Sequence, residues 1–178
     1  MSNIVPPPKI EALHNVIKIG YSLEEVRVVY KRDTKLAVGD ITIDAKDGDM
    51  SSIPRWVAKI LNEQGAIDVQ NGDVAAYILR AISRERIARP HELSGIDLDF
   101  YTRVSDHLET LKERDKENLR NSLTEFVDSR IAKIAKLAAA SPLSAELEGK
   151  LSIEEKETYL AISKAVKELQ EKVLLKAD

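Results

Sequence analysis

The stretch SSIPRWVAKILNEQGAIDV, residues 51–69, holds the only Trp of the chain, Trp56, just behind Pro54 and Arg55. Ser51 or Ser52 supplies an N-cap, and Pro54 suits a first helical turn, where its missing N–H is not needed. Trp56, Val57, Ile60 and Leu61 give apolar positions over two turns, so they are expected to form the core of a small β domain. Gly65 fits the left-handed position after a helix, and Ala66–Val69 reads as a returning strand. The segment is thus expected to close a core rather than to bind a ligand.

Working back from it, Val26, Val28 and Tyr30 alternate with Arg27, Val29 and Lys31 in a half-buried strand. Gly39-Asp40 marks a turn, and Ile41, Ile43 and Ala45 alternate with Thr42, Asp44 and Lys46 as a second strand. KDGDMSS reads as another turn. Ile10–Ile19 fits either a short helix or an extended lead-in, and Pro6-Pro7-Pro8 a short polyproline segment. The sum is a strand–strand–helix–strand module over residues 1–70.

Beyond a short polar linker, DVQNGD, the period changes and four helices are expected over residues 71–178. The first starts near Asn71 or Asp73 and stops before Pro90. The second has Asp97 as cap and Leu98, Tyr101, Val104, Leu108 and Leu111 as its apolar face. The third carries Leu119, Leu123, Phe126, Ile131, Ile134 and Leu137 and ends at Pro142. The fourth opens with a capping box, Ser152 and Glu155, followed by Tyr159, Ile162, Val166, Leu169 and Val173. Near-coiled-coil spacing in the last two predicts near-antiparallel bundle packing. The expected class is α+β, a small N-terminal β-rich domain followed by a C-terminal helical bundle.

The composition limits the chemistry. The 178 residues are 43% apolar and 32% charged, with 27 basic and 30 acidic residues, a net charge of −3. That balance argues against dominant non-specific attraction to nucleic acid or membranes. With no Cys, thiol catalysis and zinc ribbons are excluded. The three His (His14, His91, His107) have no ligand spacing, and neither a phosphate loop nor a nucleophile elbow is present. The start lacks the pattern of a signal peptide, and no apolar run approaches the roughly 20 residues of a membrane span. A cytoplasmic protein without catalytic residues, metal or cofactor is expected.

Three clusters have two readings each. Asp40, Asp44, Asp47 and Asp49 suggest a cation loop, but the closing Glu of a calcium loop is missing and a solvated turn is the simpler reading. Arg27, Lys31, Arg32 and Lys35 form either a sequence-independent nucleic-acid or partner patch or an edge protected by Lys. Arg130, Lys133 and Lys136 are either solvated helix positions or charges that orient a partner helix.

The order of these elements resembles the GINS family, the four-subunit accessory factor of the replicative helicase, in its Psf-two/Psf-three branch. IKIGYSLEEVRVVYKRD looks like that branch's strand and basic turn, and VGDITI its second turn and strand. IPRWVAKILNEQGAIDV is similar to the family's Pro-x-Trp-aliphatic-Ala signature, departing at Arg55, where the family often has an apolar residue. VAAYILRAISRERIARPHEL resembles its helix with a charged end, DLDFYTRVSDHLETL its FY helix, and NLRNSLTEFVDSRIAKIAKLAAAS its Arg/Lys-spaced helix. The resemblance spans about residues 15–175, and the short chain without long tails looks like the archaeal type. It implies a non-catalytic subunit in a 2:2 tetramer with a sister of reversed domain order, linking the MCM helicase to a RecJ-like protein. The interface residues it implies are Tyr101, Leu108, Leu123, Phe126, Arg130, Ile131, Lys133, Ile134, Leu137, Tyr159, Ile162 and Val166. A sequence-independent nucleic-acid-binding protein acting through residues 27–35 is the alternative.

Overall fold

The computed structural model describes residues 10–70 and 72–174. The Pro6–Pro8 segment and the helix start at Asn71 lie outside the described residues. The chain is α+β and divides into two compact units, Glu11–Ala75 and the residues from Ala76 onward, with the division inside a helix.

In the first unit the ambiguous lead-in is a helix, α1 (Ile10–Leu23), followed by β1 (Glu25–Tyr30), β2 (Thr34–Val38), β3 (Ile41–Ala45), β4 (Met50–Pro54), α2 (Arg55–Glu63) and β5 (Ile67–Val69). Two of these strands go beyond the sequence reading. β2 pairs with β3 in a hairpin whose two-residue turn places Gly39 at φ +56°, a Gly-first turn that matches strand twist. β4 takes residues 50–54, where an N-cap was expected. Ser51 and Ser52 lie opposite Val28 and Arg27 in an antiparallel pair, so their backbones serve the sheet β4–β1–β5 instead of a helix terminus. β4 runs straight into α2, and Pro54 occupies the cap position with no side-chain capping bond.

Alternation in β1 buries Val26, Val28 and Tyr30, which pack with Ile43, Ile53, Val57, Ala58 and Leu61. On α2 the inward positions are Val57, Ala58 and Leu61. Trp56 is only half-buried against this cluster, and Ile60 is 47% exposed, so Ile60 leaves the expected core. Its place is taken by Ala58, whose small side chain lets the helix sit close to the sheet.

Gly65 ends α2 at φ +66° in a Schellman motif, with Ala66 N–H donating to Leu61 O and Gly65 N–H to Asn62 O, both at 2.9 Å. A Cβ at Gly65 would meet nothing within 4 Å. Gly65→Ala is therefore expected to cost only the backbone term, about 1–2 kcal/mol, as read by urea unfolding of this unit.

The second unit continues α3 (Gly72–Ile87) and adds α4 (Phe100–Thr110), α5 (Glu113–Ala140), a one-turn α6 (Ala145–Glu148) and α7 (Ile153–Leu174). Asp97 does not cap α4. That position belongs to Asp99, whose carboxylate makes no capping bond and pairs with Arg103 at 2.8 Å, while the Asp97 carboxylate accepts the Tyr77 hydroxyl at 2.9 Å. The inward face of α4 is Phe100, Val104 and His107, leaving Leu98 36% exposed. Phe100 sets that phase by packing its ring 5.4 Å from Phe126, 5.2 Å from Tyr101 and 5.8 Å from Tyr77. Among the described residues no helix is long and apolar enough to cross a membrane.

Candidate subunit interface and the buried charge network

The inward face of α5 is Leu123, Phe126, Arg130, Lys133, Ile134 and Ala138. Ile131, expected inside, is 47% exposed, whereas Arg130 is 0% exposed and Lys133 7%. The stripe thus keeps helical spacing but passes through two cations, which demands charge partners.

Those partners come from three separate places. Arg130 Nε and Nη2 donate to Glu155 Oε1 and Oε2 at 2.6 and 2.8 Å, a bidentate pair. Nη1 donates to Glu85 Oε2 (2.7 Å) and Ser94 O (2.8 Å), and Nη2 also reaches Lys150 O at 3.0 Å. All five guanidinium donors are therefore used. Lys133 Nζ donates to Glu85 Oε1 (2.5 Å) and Glu92 O (3.0 Å). Glu85 Oε2 also accepts Ser94 N–H and Oγ–H at 3.0 and 2.8 Å.

Glu155 has two duties. In the capping box at the start of α7, its N–H donates to Ser152 Oγ (3.3 Å) and its carboxylate accepts Ser152 N–H (3.4 Å). The same carboxylate takes the Arg130 fork and the Tyr101 hydroxyl at 2.9 Å. Burial, with the Glu155 charge beside it, pushes the Tyr101 phenol above its usual range, so it stays a donor. Burial works against ionised Glu85, but hydrogen bonds from Lys133 and Ser94 and the Arg130 charge outweigh it and hold the carboxyl below 4.5. Burial likewise opposes the Arg130 charge, and the Glu155 bond and charge outweigh it.

The network also sets where α7 goes. Lys150 and Glu155 meet Arg130 in the middle of α5, while Tyr159, one turn later, donates to the carbonyls of Leu137 and Ser141 at the end of α5. α7 therefore advances toward the C-terminal end of α5, a correction to the expected near-antiparallel pairing. The cause is the return of residues 141–152 to Arg130. Past Tyr159 the burial of α7 falls away: Ile162 and Val166 are half-buried, Leu169 and Val173 each 62% exposed and Leu174 70%. At 1.5 Å per residue, residues 162–174 extend roughly 18 Å as an amphipathic arm.

Of the twelve expected interface residues, Leu123, Phe126, Arg130, Lys133, Ile134 and Tyr159 lie in the subunit's own interior. They are out of a partner's reach and act as its packing. Tyr101, Leu108, Leu137, Ile162 and Val166 are half-buried, and Ile131 is exposed. Leu169 and Val173 belong to the expected stripe but not to the expected interface, and they are its most open positions. Glu85, Ser94 and Glu155 were missed as partners of Arg130, and the only sequence signal was the continuation of the 123–126–130–133–137 spacing through two cations.

The two clusters of the first unit are engaged locally. Lys31 pairs with Asp68 (2.5 Å) and Lys35 with Asp44 (3.0 Å), and Arg32 donates to Gln64 O (3.2 Å), while Arg27 is exposed on β1. In the acidic loop, Asp49 accepts Lys46 N–H at 2.8 Å and Asp47 N–H donates to Asp33 at 3.1 Å. Among the described residues no group of three or more His, Asp or Glu is placed to hold a metal ion.

A family model described as the GINS complex protein helical bundle domain (Sld5) matches residues 77–174, more than half of the chain. The match covers the network and the whole α7 arm. No curated protein matches the chain.

Proposed function

The chain belongs to the GINS family of DNA-replication complex subunits, and from that premise we propose that it is a non-catalytic subunit of the Psf-two/Psf-three branch, archaeal in type and cytoplasmic. Its β-rich domain, residues 1–70, precedes its helical domain, residues 71–178. Two copies assemble with two copies of a sister subunit of reversed domain order, and the tetramer links the MCM helicase to a RecJ-like protein. One observation carries this reading: a compact β-rich unit, Glu11–Ala75, stands ahead of the matched helical bundle. The α7 arm, with Ile162, Val166, Leu169 and Val173 at alternating spacings of four and three, supports helix-to-helix assembly. Tyr101, Leu108, Ile131 and Leu137 are the other surface positions assigned to the assembly.

The linking role is tested with the co-purified complex immobilised on a sensor surface. Purified MCM and RecJ-like protein are each expected to bind, and to bind together without competing. Failure of either to bind would remove that part of the reading.

A further inference from the structure

We infer that the outer face of α1 is a self-pairing surface, on which α1 of a second copy of this chain lies antiparallel. The inner face of α1 is fixed by Tyr21, which is buried with the Arg55 guanidinium 4.5 Å over its ring, and by half-buried Leu13 and Ile17. On the far side, Val16, Ile19 and Leu23 are 64%, 59% and 60% exposed, and exposed Ala12 continues the line toward the helix start. Their spacing of four, three and four is that of a coiled-coil seam. Three large aliphatic side chains open to solvent in one file make a contact surface.

Side-chain size and the absence of charge identify the occupant. Turned end for end, a second α1 sets Ala12 against Leu23 and Val16 against Ile19, so the smallest seam residue meets the largest. On one flank Asn15 comes beside Ser22, and on the other Leu13 comes beside Gly20, where a Cβ would meet nothing within 4 Å. A parallel pair would instead stack Leu23 on Leu23 and Ala12 on Ala12. No Lys, Arg, Asp or Glu stands in the seam or at these flanking positions, so two copies meet without like-charge repulsion. The α7 arm has the same spacing, but Lys172 flanks its seam, and α1 offers no acid at its own flanks to meet it. The seam of α1 is roughly 17 Å long on a helix about 10–12 Å across, well short of the roughly 800 Å2 per partner of a stable interface. Pairing is therefore weak between free chains and grows where two copies are already held close, at a local concentration on the order of 1 mM. It rests on this face of α1 and not on the family reading.

The test is disulfide cross-linking of the full chain, which has no Cys of its own to interfere. Val16→Cys and Ile19→Cys chains, one enlarged by a tag, are mixed at about 1 mM in a glutathione redox buffer, and the products are separated by size. In the antiparallel pair residues 16 and 19 of the two copies face each other, whereas like residues are offset by roughly 4.5 Å along the axis, which a disulfide tolerates poorly. The mixed product is expected to exceed each like product at least about fivefold. Adding Leu23→Asp, at an exposed position, to both chains should cut the mixed product at least about tenfold with unchanged circular dichroism. Adding Leu169→Asp/Val173→Asp should leave it unchanged. Like products in excess, statistical yields of all three products, or a mixed product insensitive to Leu23→Asp overturns the inference. So does a mixed product lost with the α7 variant, which would make the contact depend on α7.

Discussion

Arg130→Met is expected to destabilise the helical unit by about 3–5 kcal/mol, a large share of the roughly 5–15 kcal/mol of ordinary domain stability. The substitution keeps most of the volume but leaves the buried Glu155 carboxylate without its cation and Glu85 with Lys133 alone. It also leaves the carbonyls of Ser94 and Lys150 without their donor. Ile131→Ala, next to it on the same helix, should cost about 1 kcal/mol or less because that side chain is 47% exposed. Urea unfolding of the two variants separates a buried network from a solvated charge run. Equal effects would contradict the network.

The same network gives a dependence on pH. The folded Glu85 carboxyl is held below 4.5, so it contributes stability that is fully present above 4.5 and is lost as pH falls through its lowered folded value. Glu85→Gln should therefore be clearly less stable than wild type at pH 7. The difference should narrow once the pH falls below 4.5. A difference that stays constant across this range would rule out the ionised form as the stabilising one.

Leu169→Asp/Val173→Asp is expected to abolish assembly with the sister subunit while leaving the isolated fold intact. Both side chains are 62% exposed, so the stability of the chain alone should change by no more than about 0.5 kcal/mol. In an assembled state, each loses roughly 1.5–3 kcal/mol of apolar burial and adds an unpaired charge. The two together should weaken assembly by at least about a hundredfold. Unchanged binding of the sister would move the interface off the α7 arm.

Periodicity located most of the elements because burial of one face is what imposes it. β1, β3 and the four long helices of the second unit follow from alternation or helical spacing together with Pro and Gly punctuation. β4 was hidden because Met50-Ser51-Ser52 carries no alternation; their backbone pairs with β1 while these three side chains stay exposed and only Ile53 turns into the core. Ser51 and Ser52 are good caps in isolation, and the free edge of β1 outcompeted that local preference. Ile60 and Leu98 turned outward because Ala58 and Phe100 pack better at the positions that face the core. The network was the least legible part. Its cations sit at stripe positions that charge normally forbids, and its acids come from α3 and from α7, 45 and 25 residues away in sequence. Only the capping box flagged Glu155, and for a different role.

The account rests on assembly through the helical unit, and light scattering on the size-excluded complex tests it most directly. Co-expressed with its sister subunit, the wild-type chain should elute as one species with the mass of two copies of each. The Leu169→Asp/Val173→Asp variant should elute folded and apart from the sister. A wild-type chain that elutes alone as a monomer beside a folded sister would contradict the account.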